Sequence, residues 1–205
     1  HGVFRRQRQM CIRDRAIYDL DDTLLCGDSE FHWAKFTVSK GFIEKEVYLK
    51  KIKAFEIDYR SGNLDFDEYC SFLLHPLIGM NVDDLDELVS EFIESHKEKL
   101  IDPMTFDLLK RHKDDFRLVA SGSLDFIVKG FTNYFELDAY LGSSYEVVDN
   151  KISGKLTKAA FAQGKLEKVR EWCQKNGYIV EESFFYTDSI NCLLYTSDAA
   201  DERLR

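Results

Sequence analysis

Apolar and polar positions divide the chain into two kinds of text. Three short runs, RAIYDL (15–20), FRLVAS (116–121) and SFFYTD (183–188), are apolar nearly throughout, and acids stand near the ends of the first and third. Runs of that kind have the form of strands buried on both faces of a parallel sheet. Between the first two the spacing becomes helical, from Ser29 to Lys113. SEFHWAKFTVSKG (29–41), IEKEVYLKKIKAFEIDYRSG (43–62), DFDEYCSFLLHPLIG (65–79) and NVDDLDELVSEFIESHKEKL (81–100) repeat apolar residues every three or four positions. Gly62 and Gly79 punctuate the run, and Asn81 reads as a helix start with Asp83 and Asp84 suiting the positive end of the dipole.

After the second strand the pattern alternates between types. LDFIVKGFTNYF (124–135) is helical, and AYLGSSYEVVDNKISGKL (139–156) alternates about Asp149-Asn150, the mark of a hairpin turn. KLEKVREWCQKNG (165–177) is an amphipathic helix stopped by Gly177. Strand, long helical insertion, then strand and helix in turn predict an α/β core, residues 16–28 and 114–191, with a helical cap, residues 29–113, inserted after the first strand.

Composition narrows the function classes. The formal charge of −9 over 205 residues disfavours nucleic acid and anionic membranes as partners. No run of eighteen apolar residues suggests a membrane span. Five cysteines without CxxC spacing fit reduced thiols and a cytoplasmic setting.

The two ends read differently from the middle. RRQRQMCIRD (5–14) can be encoded by DNA whose reverse complement reads Cys-Leu-Leu-Tyr-Thr-Ser-Asp-Ala-Ala-Asp, the text of residues 192–201. Opposite strands of one oligonucleotide, resembling a transposon-end sequencing adapter, account for both. Residues 1–15 and 192–205 are therefore expected to be non-native tails. Without them 21 Lys and Arg face 33 Asp and Glu, and the window 16–191 stands at −12.

The chemistry concentrates at Asp19-Leu20-Asp21-Asp22-Thr23. At a strand end residues i and i+2 point the same way, so Asp19 and Asp21 project together into the crevice where α/β sheets bind ligands. Two adjacent carboxylates repel unless a hard divalent cation neutralises them. Capping of a following turn is the competing use of Asp21 or Asp22. Ser121-Gly122-Ser123 follows the second strand and is read as opening a helix, where hydroxyl and N–H groups hold phosphate or simply cap. Gly164-Lys165 begins a helix, and Asp188 ends the last strand. Each piece has an ordinary reading as a cap or a solvated charge, but the order of acid pair, Ser-Gly, Lys and acid at element boundaries favours one joint site.

These motifs, AIYDLDDTLLCGDS, SGNLDFDEY, LVASGS, YEVVDNKISGKL, GKLEKVREW and YTDSIN, resemble the haloacid dehalogenase superfamily, and within it the phosphoserine-phosphatase-like group with a helical cap after strand one. The resemblance spans 16–191 and implies a Rossmann-like core and a phosphatase acting on a small phosphomonoester. It makes Asp19 the nucleophile and Asp21 the general acid–base. Mg²⁺ is implied on the Asp19 carboxylate, the Asp21 carbonyl and Asp188. Ser121, Gly122 and Lys165 are implied on the phosphoryl group, with Asn191 beside it. Asp28 is implied as the acid that binds a substrate amine. Family members carry aspartate where Cys192 stands, and continue into a further strand and helix expected to be missing here. The family's carboxylate-binding cap arginine falls near Leu73, with Arg60 as a possible substitute, so phosphoserine and an amine such as histidinol phosphate compete as substrates. A catalytically silent binding module or a phosphotransferase on the same fold are the alternative functions.

Overall fold

The computed structural model describes residues 14–188. Asn191, Cys192, the residues beyond them and most of the N-terminal tail lie outside that range. Four strands run parallel in the order β3 (Ala139–Val148), β2 (Phe116–Leu124), β1 (Arg15–Tyr18), β5 (Ser183–Tyr186). β4 (Lys151–Lys158) closes the β3 edge as the antiparallel arm of a hairpin. The hairpin turn falls at Asp149-Asn150, where both residues take left-handed backbone, φ 49 and 61. That conformation suits Asp and Asn at a two-residue turn.

In β1 and β2 the continuous apolar text follows from burial on both faces, whereas β5, expected to be buried likewise, stands at the edge of the described sheet with Phe184 46% exposed. Ile17, Leu118 and Ala120 turn toward Val169 and Cys173 of α7 (Gln163–Lys175). Their neighbours Ala16, Tyr18 and Val119 turn the other way, into the main core with Phe126, Ile127 and Phe131 of α6 (Asp125–Tyr134). The protein is thus an α/β fold in which a mostly parallel five-stranded sheet carries helices on both sides. Strand β1 begins at Arg15, inside the segment read as a tail. Arg15 is 3% exposed, and its guanidinium donates to the Ile179 carbonyl (3.2 Å) and the Ser183 hydroxyl (3.3 Å).

The insertion folds as α1 (Ser29–Ser39), α2 (Lys45–Ser61), α3 (Phe66–Leu74), α4 (Val82–Leu100) and α5 (Pro103–Arg111), with one turn of 3₁₀ helix after α3. Gly62, at φ 75, ends α2 in the left-handed conformation. Trp33 of α1 packs against Phe92 of α4 and Phe126 of α6, with ring centroids 5.3 and 5.1 Å away. Insertion and sheet therefore share one apolar core. Helix α5, which the spacing did not isolate, starts with Pro103 behind an Asp102 cap. No helix among the described residues is long and apolar enough to cross a membrane.

One sequence expectation is corrected. Ser121-Gly122-Ser123 does not open a helix, because β2 continues to Leu124 and α6 starts at Asp125. The extension is held by β3, whose Ser143 registers with Leu124 after an irregularity beyond Ala120. An irregular strand end re-aims its side chains without ending the pairing.

Candidate active site at the carboxyl ends of the strands

Asp19 is the first residue past β1, and its N–H donates to the Tyr186 carbonyl at 2.8 Å, in step with β5. Because β1 lies between β2 and β5, the three strand ends converge on this residue. Its Oδ2 accepts from Lys165 Nζ at 2.6 Å and from Thr187 Oγ1 at 3.2 Å. Oδ1 accepts from the Leu20 N–H at 2.9 Å. The Asp19 and Lys165 side chains are 11% and 17% exposed, so the pair is shielded without being sealed from the cleft.

Asp21 takes a different environment. Its Oδ1 accepts from the Ser29 N–H at the start of α1 (2.7 Å), and its Oδ2 accepts from Ser123 Oγ (2.6 Å). Ser121 Oγ lies at the outer limit of bonding, 3.5 Å from the same oxygen. Burial, then the charge of Asp28, push the Asp21 carboxyl up to about 7, against the opposing effect of these hydrogen bonds. A carboxyl that exchanges its proton near neutrality is what acid–base chemistry requires.

Lys165 reaches Asp19 from the first turn of α7. The approach to that helix is tight, with Ala162 at φ 48 and a Cβ on Gly164 placed 2.8 Å from the Ala159 carbonyl oxygen. Ser121 is 1% exposed and accepts from the Ser123 N–H at 3.1 Å. Gly122 lines the same cleft and has ordinary spacing toward Phe161, so steric need alone does not account for glycine there. Asp188 is held by its own N–H donating to Thr23 Oγ1 at 3.1 Å. Its carboxyl is raised by burial, then by the charges of Asp19 and Asp22.

These residues floor a cleft of about 1120 Å³. Asp28 opens onto it while its Oδ1 caps α1 by accepting from the Phe31 N–H (2.8 Å), and burial raises its carboxyl. Phe66 of α3 and Phe161 of the loop before α7 stack across the cleft, with centroids 4.6 Å apart and planes 8° from parallel. Asp19, Asp21, Asp28, Ser121, Gly122, Lys165 and Asp188 are therefore brought to one cavity; Asn191 falls outside the described residues.

Three contributors escaped the sequence reading. Ser123 bonds Asp21 more closely than Ser121 does, and only its i+2 relation to Ser121 hinted at a shared face. Thr187 was hidden beside the acid it precedes. Glu30 looks like a first-turn acid serving the helix dipole, yet it is 5% exposed and its Oε1 accepts from the Leu124 N–H at 2.9 Å.

Among the described residues no group of three or more His, Cys, Asp or Glu side chains is gathered as a metal centre. The residues nonetheless suit a hard cation at Asp19 and Asp188. The negative charges of Asp19 and Asp22 act against ionised Asp188, and a bound cation relieves that repulsion.

A family model described as haloacid dehalogenase-like hydrolase matches residues 16–191. A histidinol-phosphatase of Neisseria meningitidis serogroup C (strain 8013) is 28% identical over 189 residues, covering 89% of this chain and 85% of that protein. The chain spans 64% to 66% of three further curated relatives. Among solved structures, a protein of unknown function from Bordetella pertussis Tohama I superposes with a TM-score of 0.78 at 23% identity, covering 87% of this chain and 84% of that one. A substrate-bound phosphoserine phosphatase has a TM-score of 0.56 at 15% identity, covering 84% and 76%.

Proposed function

The chain belongs to the haloacid dehalogenase-like hydrolases, and from that premise we propose that it is a phosphatase that hydrolyses a small phosphomonoester through an aspartyl-phosphate on Asp19. The observation that carries this reading is the asymmetric pair of acids. Asp19 is held by Lys165 at 2.6 Å, whereas Asp21 sits between the Ser29 N–H and the Ser123 hydroxyl. One carboxylate lies against a lysine ammonium, the setting a nucleophile needs, and the other, raised to about 7, can keep a proton.

In the first step an Asp19 carboxylate oxygen bonds to phosphorus as the ester P–O bond breaks. The departing alkoxide takes the Asp21 proton and leaves as the alcohol. In the second step Asp21 takes a proton from water, whose oxygen attacks phosphorus and releases phosphate from Asp19. Lys165, the Ser121 hydroxyl and the Gly122 N–H offset charge on the phosphoryl oxygens. The Asp19 carboxylate, the Asp21 carbonyl and Asp188 would hold Mg²⁺, which when bound supplies further positive charge at that group. The Phe66–Phe161 stack lies where it can limit water entry.

The substrate reading favours an amine without a carboxylate. Asp28, Glu30 and Glu56 line the cleft. Arg60, the cation suited to a substrate carboxylate, already donates to Glu56 at 2.8 Å, and Leu73 is fully buried. Histidinol phosphate fits this lining better than phosphoserine, in agreement with the name of the Neisseria relative. The test is kcat/KM, with Mg²⁺, for histidinol phosphate, phosphoserine and an alkyl phosphate lacking an amine. The amino alcohol phosphate is expected to lead by roughly tenfold or more, the scale of one charged contact. Equal values for all three, or a lead for phosphoserine, would remove the substrate assignment.

A further inference from the structure

The middle of strand β3 touches neither Asp19 nor Asp21, yet it joins the two arms that meet above them. Ser143 is fully buried. Its Oγ donates to the Gly122 carbonyl at 2.6 Å and accepts from the Ala160 N–H at 2.9 Å. Gly122 belongs to the β2 arm with Ser121, and Ala160 leads into α7 with Lys165. A single hydroxyl therefore spans both sides of the phosphate end of the cleft.

The residues on either side of Ser143 complete the connection. Lys168, one helical turn beyond Lys165 on α7, is 8% exposed and donates from Nζ to the Gly142 carbonyl at 2.5 Å and to Ser144 Oγ at 2.8 Å. The Gly142 N–H donates to Asp125 Oδ1 at 2.9 Å, at the start of α6. Gly142 must stay small, because a Cβ there would stand 2.8 Å from the Ser123 carbonyl oxygen and 2.9 Å from Asp125 Oδ1. Burial lowers the Lys168 ammonium from its ordinary value, so this lysine is kept where solvation opposes it. A buried ammonium held by two acceptors on β3 is an anchor, whereas a lysine serving only solubility faces water.

We propose that Ser143 and Lys168 are positioning residues: through the middle of β3 they fix Gly122 and Lys165 at the spacing one phosphoryl group requires. The inference rests on the phosphatase reading and adds to it the connection between the two arms. Neither side chain touches the reacting atoms. Each acts through a neighbour, Ser143 through the Gly122 carbonyl and Lys168 through the helix that carries Lys165.

The test compares the full chain with Ser143→Ala, Lys168→Met, Lys165→Met and the Lys165→Met/Lys168→Met double variant. Hydrolysis of p-nitrophenyl phosphate with Mg²⁺ gives kcat and KM, and calorimetry gives the affinity for inorganic phosphate. Ser143→Ala removes one oxygen, and Lys168→Met keeps the apolar stem, so at least one is expected to fold to wild-type circular dichroism. Each single change at 143 or 168 is expected to lower kcat/KM roughly 10- to 100-fold, the scale of a small misplacement of catalytic groups. The Lys168→Met loss in phosphate affinity is expected to shrink severalfold once Lys165 is absent, because coupled residues are not additive. An active wild-type protein with unchanged kcat/KM in both single variants would overturn the inference and leave the phosphatase reading standing. The same Lys168→Met penalty with and without Lys165 would equally overturn it. A wild-type protein that releases no phosphate would fail the phosphatase reading itself, and the inference with it.

Discussion

Glu30 carries a titration that its position on a helix conceals. Its carboxyl is raised well above the ordinary 4.5 by burial and then by the charge of Asp28, while its Oε1 accepts from the Leu124 N–H. With the folded value above the unfolded one, the folded chain binds more protons from about pH 4.5 upward. Stability present in acid is therefore lost as the pH rises through that window toward the folded value. Glu30→Gln keeps the acceptor and removes the titration, so the decline of unfolding free energy from pH 4.5 to neutrality is expected to become shallower. Denaturant titrations across that range read the slope, and an unchanged slope contradicts the assignment. Glu30 was illegible in the sequence because an acid in a first helical turn already has a sufficient explanation in the dipole. Asp19 and Asp21 were legible because, although a turn cap alone would explain Asp21, two acids at i and i+2 closing an apolar strand stand in order with Ser-Gly, Lys and a later acid at element boundaries.

Elements were read best where their period was long. The four helical segments of the insertion came from three- and four-residue spacing, and the glycines that punctuate them, Gly62 and Gly79, fall at left-handed backbone. The end of β2 was misread because Ser-Gly-Ser carries a helix-start composition, whereas pairing with β3, invisible locally, holds it extended to Leu124. The close approach of α4 to α6 was equally hidden. A Cβ on Gly130 would stand 2.3 Å from Val89 Cγ1 and 3.0 Å from Ile93 Cδ1, so α6 needs glycine at its middle for a packing reason. Gly→Ala in an open helix stabilises by about 0.5–1 kcal/mol. Here the overlap is expected to win, and Gly130→Ala should lower stability by about 1–3 kcal/mol. A thermal midpoint equal to or above that of the parent would show that the two helices can part without cost.

At the scale of the whole molecule, the order β4-β3-β2-β1-β5 does what no single motif can. It places β1 between β2 and β5, so acids near residue 19, serines near 121 and the acid at 188 arrive at one end of the sheet. Helix α7 packs on the opposite face from α6 and brings Lys165 over the same edge. The α/β class and the helical insertion were legible from alternating periods. The Phe66–Phe161 stack and the bridge through Ser143 were not, because each joins segments far apart in sequence through contacts that only the packed fold creates. The central claim is that Asp19 becomes phosphorylated, and phosphate release from p-nitrophenyl phosphate, compared between the parent and Asp19→Asn with Mg²⁺ or chelator, tests it most directly. The parent is expected to turn over with Mg²⁺ and stop with chelator, and Asp19→Asn to lose more than roughly a thousandfold in kcat. Hydrolysis that survives in Asp19→Asn at the parent's rate would contradict the account.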